Sequence, residues 1–222
     1  MSSNWSRRVI VQTAFRKRKA VEIFVGGLMV TVFTCASTFA HVPIPPKKGE
    51  IGRRVVDKAV TDFALTDQFG RPFKWEDGRG KIVVVDFIYT KCPDVCPLLS
   101  AKFAAIQRSL EEQKRNDYLL VSITTDPARD NSQTLKSYAN LFKADGRRWL
   151  FLTGSKEALA KVWKEFGVTV RKAPDGEVQH TTLTTVVDRE GVRRVDYYGD
   201  KWQEQEVLKD IKSLATRNEP SI

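Results

Sequence analysis

The run Lys81-Ile82-Val83-Val84-Val85-Asp86-Phe87-Ile88-Tyr89-Thr90-Lys91-Cys92-Pro93-Asp94-Val95-Cys96-Pro97 decides how the rest of the chain is read. Residues 81–89 form a continuous, largely β-branched and aromatic stretch, the pattern of a strand buried on both faces. Beyond it, Pro93 suits the first turn of a helix, and Leu99, Phe103, Ile106 and Leu110 recur at helical spacing. Cys92 and Cys96 therefore stand at a strand-to-helix junction. Four residues apart at a helix start, the two sulfurs share one face a turn apart, where they can close a disulfide or hold one soft metal ion together. The helix amino terminus is expected to lower thiol pKa by stabilising the thiolate, the form that attacks disulfides and binds metal. The bland alternative is a pair of small hydrophobes packed in the core.

Working outward, short apolar runs alternate with amphipathic helices. Residues 62–73 read as two short strands around a glycine-containing turn, and residues 118–125 and 149–153 as further strands. Leu135, Tyr138, Leu141 and Phe142 mark one helix, Leu159, Val162, Trp163 and Phe166 another, and Val207, Ile211 and Leu214 a last one. Strands at 181–187 and 193–198 complete the body, with His180 opening the first of them. Trp75, Trp149, Trp163 and Trp202 are read as core fillers. No internal repeat is present. This order of elements, over residues 55–222, is that of an α/β thioredoxin-like sandwich.

The amino-terminal part is of another kind. The 222-residue chain carries a net charge of +10, but residues 1–40 alone contribute +5, from Arg7, Arg8, Arg16, Lys17, Arg18 and Lys19 against Glu22. The remaining charge is spread over an ordinary solvated surface without a basic block interleaved with aromatics, so no nucleic-acid partner is expected. Residues 1–22 form a basic cytoplasmic region followed by an uncharged apolar stretch, residues 23–40, which is either a membrane anchor or a signal peptide cleaved after Thr38-Phe39-Ala40. Cys35 is an apolar filler of that stretch. Positive charge stays in the cytoplasm, placing the rest of the chain outside it, on the periplasmic or mitochondrial intermembrane-space side. Residues 41–54, with Pro43, Pro45 and Pro46, form an extended spacer. Cleavage after Ala40 would leave His41 as a first residue with a copper(II)-chelating amine and imidazole; the simpler reading is a solvated linker histidine.

With only His41 and His180 in the chain, the metal options narrow quickly. The zinc-finger spacings are absent. In a thioredoxin-like body the loop carrying His180 faces the cysteine-bearing helix, so Cys92, Cys96 and His180 make a set of two thiolates and one imidazole. Such a set suits copper(I) as a trigonal ion and accepts copper(II) with an added ligand, whereas zinc usually takes four. Met1 and Met29 are too few for a methionine-rich copper relay.

The stretches 87–97, Thr124-Thr125-Asp126-Pro127-Ala128-Arg129-Asp130, His180-Thr181 and Val187-Asp188-Arg189-Glu190-Gly191 together resemble the Sco/SenC family, copper-binding proteins that assist assembly of cytochrome c oxidase. The resemblance spans roughly residues 55–216. It implies that Cys92, Cys96 and His180 are copper ligands and that one amino-terminal span tethers the domain to the inner membrane. It also implies copper delivery to the binuclear copper centre in the oxidase's copper-bearing subunit, or prior reduction of that centre's cysteines, directly or through assembly factors.

Departures from the pattern set up an alternative. Asp86 stands six residues before Cys92, where the family usually has a neutral residue; Val85-Asp86-Phe87 looks like the equivalent run of thioredoxin, where an aspartate moves protons to and from the inner cysteine. Desolvation raises such a pKa, fitting Asp86 to accept a proton as Cys96 ionises. Asp86 with Cys92 and Cys96 would then be the catalytic set of an exported thiol-disulfide oxidoreductase that acts on client cysteine pairs without stable copper binding. The plain reading of Asp86 is a strand residue that reaches a polar partner. Gln179 replaces an acidic neighbour of the histidine, and residues 171–178 are shorter than the loop of some members. The absence of a proline beside His180, where thioredoxins have one, favours metal. A third possibility is a binding module in which the cysteine pair only switches conformation. A peroxidase lacks its threonine, since Tyr89 occupies that place. Asp126 to Asp130 is read first as a helix start, capped by Asp130 or Asn131.

Overall fold

The computed structural model describes residues 52–173 and 176–217. The expected anchor or signal at 23–40, Cys35, His41 and most of the spacer lie outside these residues. Among the described residues no helix is long and apolar enough to cross a membrane.

Among the described residues, ten strands and four α-helices follow one another as β1 (Gly52–Ala59), β2 (Ala64–Asp67), β3 (Pro72–Lys74), β4 (Ile82–Ile88), α1 (Val95–Glu112), β5 (Tyr118–Thr124), α2 (Ser132–Leu141), β6 (Trp149–Thr153), α3 (Lys156–Phe166), β7 (Val170–Lys172), β8 (Val178–His180), β9 (Leu183–Val187), β10 (Val192–Tyr198) and α4 (Glu204–Arg217). Eight strands make one mixed sheet in the order β1-β10-β9-β4-β5-β6-β2-β3, and β7 and β8 form a separate hairpin. The three parallel strands β4, β5 and β6 lie at its centre, joined by α1 and α2, with β9 antiparallel to β4 on the other side. This is the thioredoxin-like sandwich.

Burial on both faces explains the unbroken apolar run of β4. Ile82, Val84 and Ile88 pack with α1, α2 and α4 in one core, and Val83, Val85 and Phe87 pack with Trp75 and α3 in the other. Leu99, Phe103, Ile106 and Leu110 turn α1 onto the first core, each contributing about 1.5–3 kcal/mol by leaving water. The four tryptophans read as core are buried. The start of α3 is capped by Ser155 and its end by Gly167, whose φ of 75° suits a left-handed terminating position.

Three expectations change. Leu141 is exposed, because it lies six residues beyond Leu135 and so about 240° around the helix, off the inward stripe of Leu135, Tyr138 and Phe142. β1 takes in residues 52–54, expected as spacer; it is an edge strand with an almost wholly exposed burial pattern, leaving little apolar signal. His180 closes β8 instead of opening the next strand, because residues 170–172 and 178–180 pair as a hairpin, with Val170 opposite His180.

Candidate metal centre

β4 ends beneath the start of α1, and the turn between them carries Cys92. Asp94 is the first residue of the helix boundary but makes no side-chain cap. Instead the Cys96 amide donates to Cys92 Sγ at 3.4 Å. This N–H is one of the first-turn donors without an intrahelical partner, so the sulfur does the work of a cap. Both cysteines are free thiols and both are buried.

Burial overturns the expected effect on the second thiol. Cys96 is held well above the ordinary thiol pKa, first by desolvation and then by its hydrogen bond with Cys92 and the charge there. Its sulfur belongs to the apolar core under α1, where the helix terminus cannot offset lost hydration. Metal binding at Cys96 must therefore displace a proton.

His180 meets this thiol from the hairpin. Its Nε2 lies 3.9 Å from Cys96 Sγ, and its Nδ1 lies 3.0 Å from the Thr181 carbonyl. A carbonyl only accepts, so Nδ1 carries a proton, and in the neutral ring that tautomer leaves the Nε2 lone pair turned toward the sulfur. The Tyr89 ring packs edge-on against the imidazole, centroids 5.9 Å apart, and the Tyr89 hydroxyl donates to Glu177 Oε2 at 3.4 Å. Cys96 and His180 are thus brought face to face, with Cys92 one turn away. Among the described residues no three His, Cys, Asp or Glu side chains are already gathered as a closed metal cluster.

Asp86 lies on the α1 side of β4, wholly buried, opposite Ser122 of β5 and Thr184 of β9 in register. Neither carboxylate oxygen has a hydrogen-bond partner among the described residues, and neither does Thr184 Oγ1. Desolvation pushes its pKa up to about 7, against a smaller opposing effect of Ser122. The plain reading, a strand aspartate that reaches a partner, is not what the structure contains.

Asp130 is the contrary case. Asn131 alone caps α2, its Oδ1 accepting from Thr134 N at 2.9 Å. Asp130 turns inward and accepts from Thr90 N at 3.1 Å, Thr90 Oγ1 at 2.5 Å and Thr124 Oγ1 at 2.6 Å. It pins the residue two before Cys92 to the end of β5. Tyr89, Glu177 and Asp130 escaped sequence reasoning as parts of the site, although the Asp-Pro-x-Arg-Asp pattern was a signal for the last.

The fold and the site define a thioredoxin-like domain with a buried dithiol and a facing imidazole. The model of the SCO1/SenC family matches residues 53–216, and the chain belongs to that family. The SCO1 protein homolog of Bacillus subtilis is 29% identical over 203 residues, covering 89% of this chain and 98% of that protein. The mitochondrial protein SCO2 homolog of Mus musculus is 32% identical over 159 residues, 68% of this chain and 60% of that one. Among solved structures, copper-bound ScoI of Bradyrhizobium japonicum is 31% identical with a TM-score of 0.62, covering 70% of this chain and 99% of that one. BsSco, described with a disulfide switch as a member of the Sco family of cytochrome c oxidase assembly proteins, is 27% identical with a TM-score of 0.63, covering 73% and 96%.

Proposed function

We propose that this protein is a copper-binding thiol-redox chaperone for the binuclear copper centre of cytochrome c oxidase, holding copper(I) through Cys92, Cys96 and His180. The observation that carries this reading is the Nε2 lone pair of His180, oriented by the Nδ1 bond to Thr181 and turned toward Cys96 Sγ. Orientation of a ligating imidazole through its other nitrogen is a recurrent device of metal sites. Family membership supports copper as the cargo, since the Bradyrhizobium relative is copper-bound. On this reading the partner is the oxidase's copper-bearing subunit or its assembly factors. The domain works on the periplasmic or intermembrane-space side, tethered by residues 23–40 or released after cleavage.

Copper loading exchanges two thiol protons for one copper(I), and delivery reverses this when the acceptor's ligands replace the three donors. Titration of the reduced full chain with copper(I) against a competing chelator tests the reading. One ion bound tightly, with clear loss in Cys92→Ser and His180→Ala, supports it; binding indifferent to His180 overturns it.

A second reading is favoured by Asp86. Its unpaired carboxylate lies on the same face of β4 as the dithiol, and its charge raises the pKa of Cys96. In thiol-disulfide exchange one cysteine attacks a client disulfide and the other resolves the mixed disulfide. Two electrons pass to the client, a Cys92–Cys96 disulfide forms, and Asp86 takes the Cys96 proton. The same dithiol serves both tasks. Asp86→Asn slowing disulfide reduction while sparing copper affinity would assign the proton step to Asp86; an unchanged rate would remove it.

A further inference from the structure

The motif Asp126-Pro127-Ala128-Arg129-Asp130 reaches the site in two directions, and only one of them concerns the cysteines. Asp130 holds Thr90, on the cysteine side. Arg129, the residue before it, points to the hairpin. Its Nε donates to Asp126, one NH2 group donates to the Gly176 carbonyl at 3.3 Å, and the other faces Glu177 Oε1 at 3.9 Å. The second oxygen of Glu177 accepts from Tyr89, whose ring lies edge-on to His180. Otherwise the hairpin is held by packing and not by the main sheet: β7 and β8 are three residues each and pair only with one another, β7 is half-buried to exposed, and Val178 of β8 is buried in the first core.

We infer that Arg129 is a positioning residue of the metal centre, clamping the β7–β8 hairpin through Gly176 and Glu177 so that His180 is held at Cys96. The inference rests on the three-donor reading of the site and adds to it the group that sets the histidine arm. A guanidinium suits the task because its planar fork spans a carboxylate and a carbonyl at once, whereas an ammonium is a single point charge. Asp126 orients the fork from the α2 side, being itself buried and fixed by the bond from its own amide to Thr124 Oγ1. Arg129 touches neither sulfur nor imidazole. It acts by lowering the freedom of the one ligand that is not rooted in the main sheet.

The test is a double-variant cycle on the full chain loaded with copper(I) alone, reading the rate of copper loss to an excess of chelator. Arg129→Gln should speed release on the order of tenfold, within the range for groups that orient a ligand. His180→Ala should speed it more, and Arg129→Gln should add nothing in the His180→Ala background, a dependence that a merely structural contact would not show. Glu177→Gln, which weakens the same link from the hairpin side, should reproduce the effect in part, and it serves if the arginine variant folds poorly. A rate for Arg129→Gln equal to wild type, or an effect undiminished without His180, overturns the clamp. A wild-type rate for His180→Ala itself overturns the three-donor reading instead, and it does so in a chain that keeps Arg129.

Discussion

The two halves of the site are built by different means. The cysteine turn is rooted in the core: β4 is buried at every residue, α1 packs four apolar side chains beneath it, and Asp130 supplies three hydrogen bonds to the turn and the neighbouring strand. The histidine arm is a hairpin of two three-residue strands outside the main sheet, packed through Val178 and tied down by side chains at its rim. A domain that must take up a metal and then surrender it gains from this inequality. On the proposed three-donor reading the thiols stay preorganised, and the imidazole is the donor carried by the smaller element.

The largest effect expected is at the rooted half. Cys92→Ser should abolish tight copper(I) binding, because a hydroxyl is a poor donor for a soft ion, and the chelator competition should register a loss of at least on the order of a hundredfold. His180→Ala leaves both thiolates and should cost less, on the order of tenfold to a hundredfold in the same assay. Equal losses in the two variants would erase the distinction between root and arm.

Asp86 offers a stability test of the rooted half. Its pKa, raised from 3.8 in water to about 7, means that the folded state keeps a proton which the unfolded state releases. Stability therefore falls as pH rises from about 4 to about 7 and levels off above. Asp86→Asn should remove that slope and raise stability at pH 8 by up to about 4 kcal/mol, an upper bound because burial can relax. Denaturant unfolding at pH 5 and pH 8 reads both; an unchanged slope would show that Asp86 is ionised in the fold. Asp130→Ala should act the other way, costing roughly 2–4 kcal/mol by stranding the Thr90 amide and two hydroxyls. Amide exchange should then quicken at residues 90–92 and remain unchanged at 178–180.

How much was legible depends on how each residue is held. Leu99, Phe103, Ile106 and Leu110 announced α1 because a helical face buried against a sheet imposes its period on the sequence. The cysteine pair was legible for the same reason, lying where strand period gives way to helix period. The β7–β8 hairpin was not, since two three-residue strands carry too few positions for any period, and Arg171 and Lys172 are exposed. Glu177 looked like any surface carboxylate. Asp130 was read as a cap because it precedes a helix by the right interval, and nothing local says that Asn131 takes the cap and frees its neighbour.

Sequence alone determined the dithiol at a strand-to-helix junction, the sandwich around it, and the family to which these residues point. Those features rest on local chemistry, period and spacing, which a linear chain records. Only the tertiary structure decided that burial raises the Cys96 pKa, that Asp86 has no hydrogen-bond partner among the described residues, and that Asp130 bonds to the cysteine turn while Arg129 bonds to the hairpin. Each of these depends on what lies across a sheet or beneath a helix, and desolvation and long-range hydrogen bonds exist only when distant segments meet.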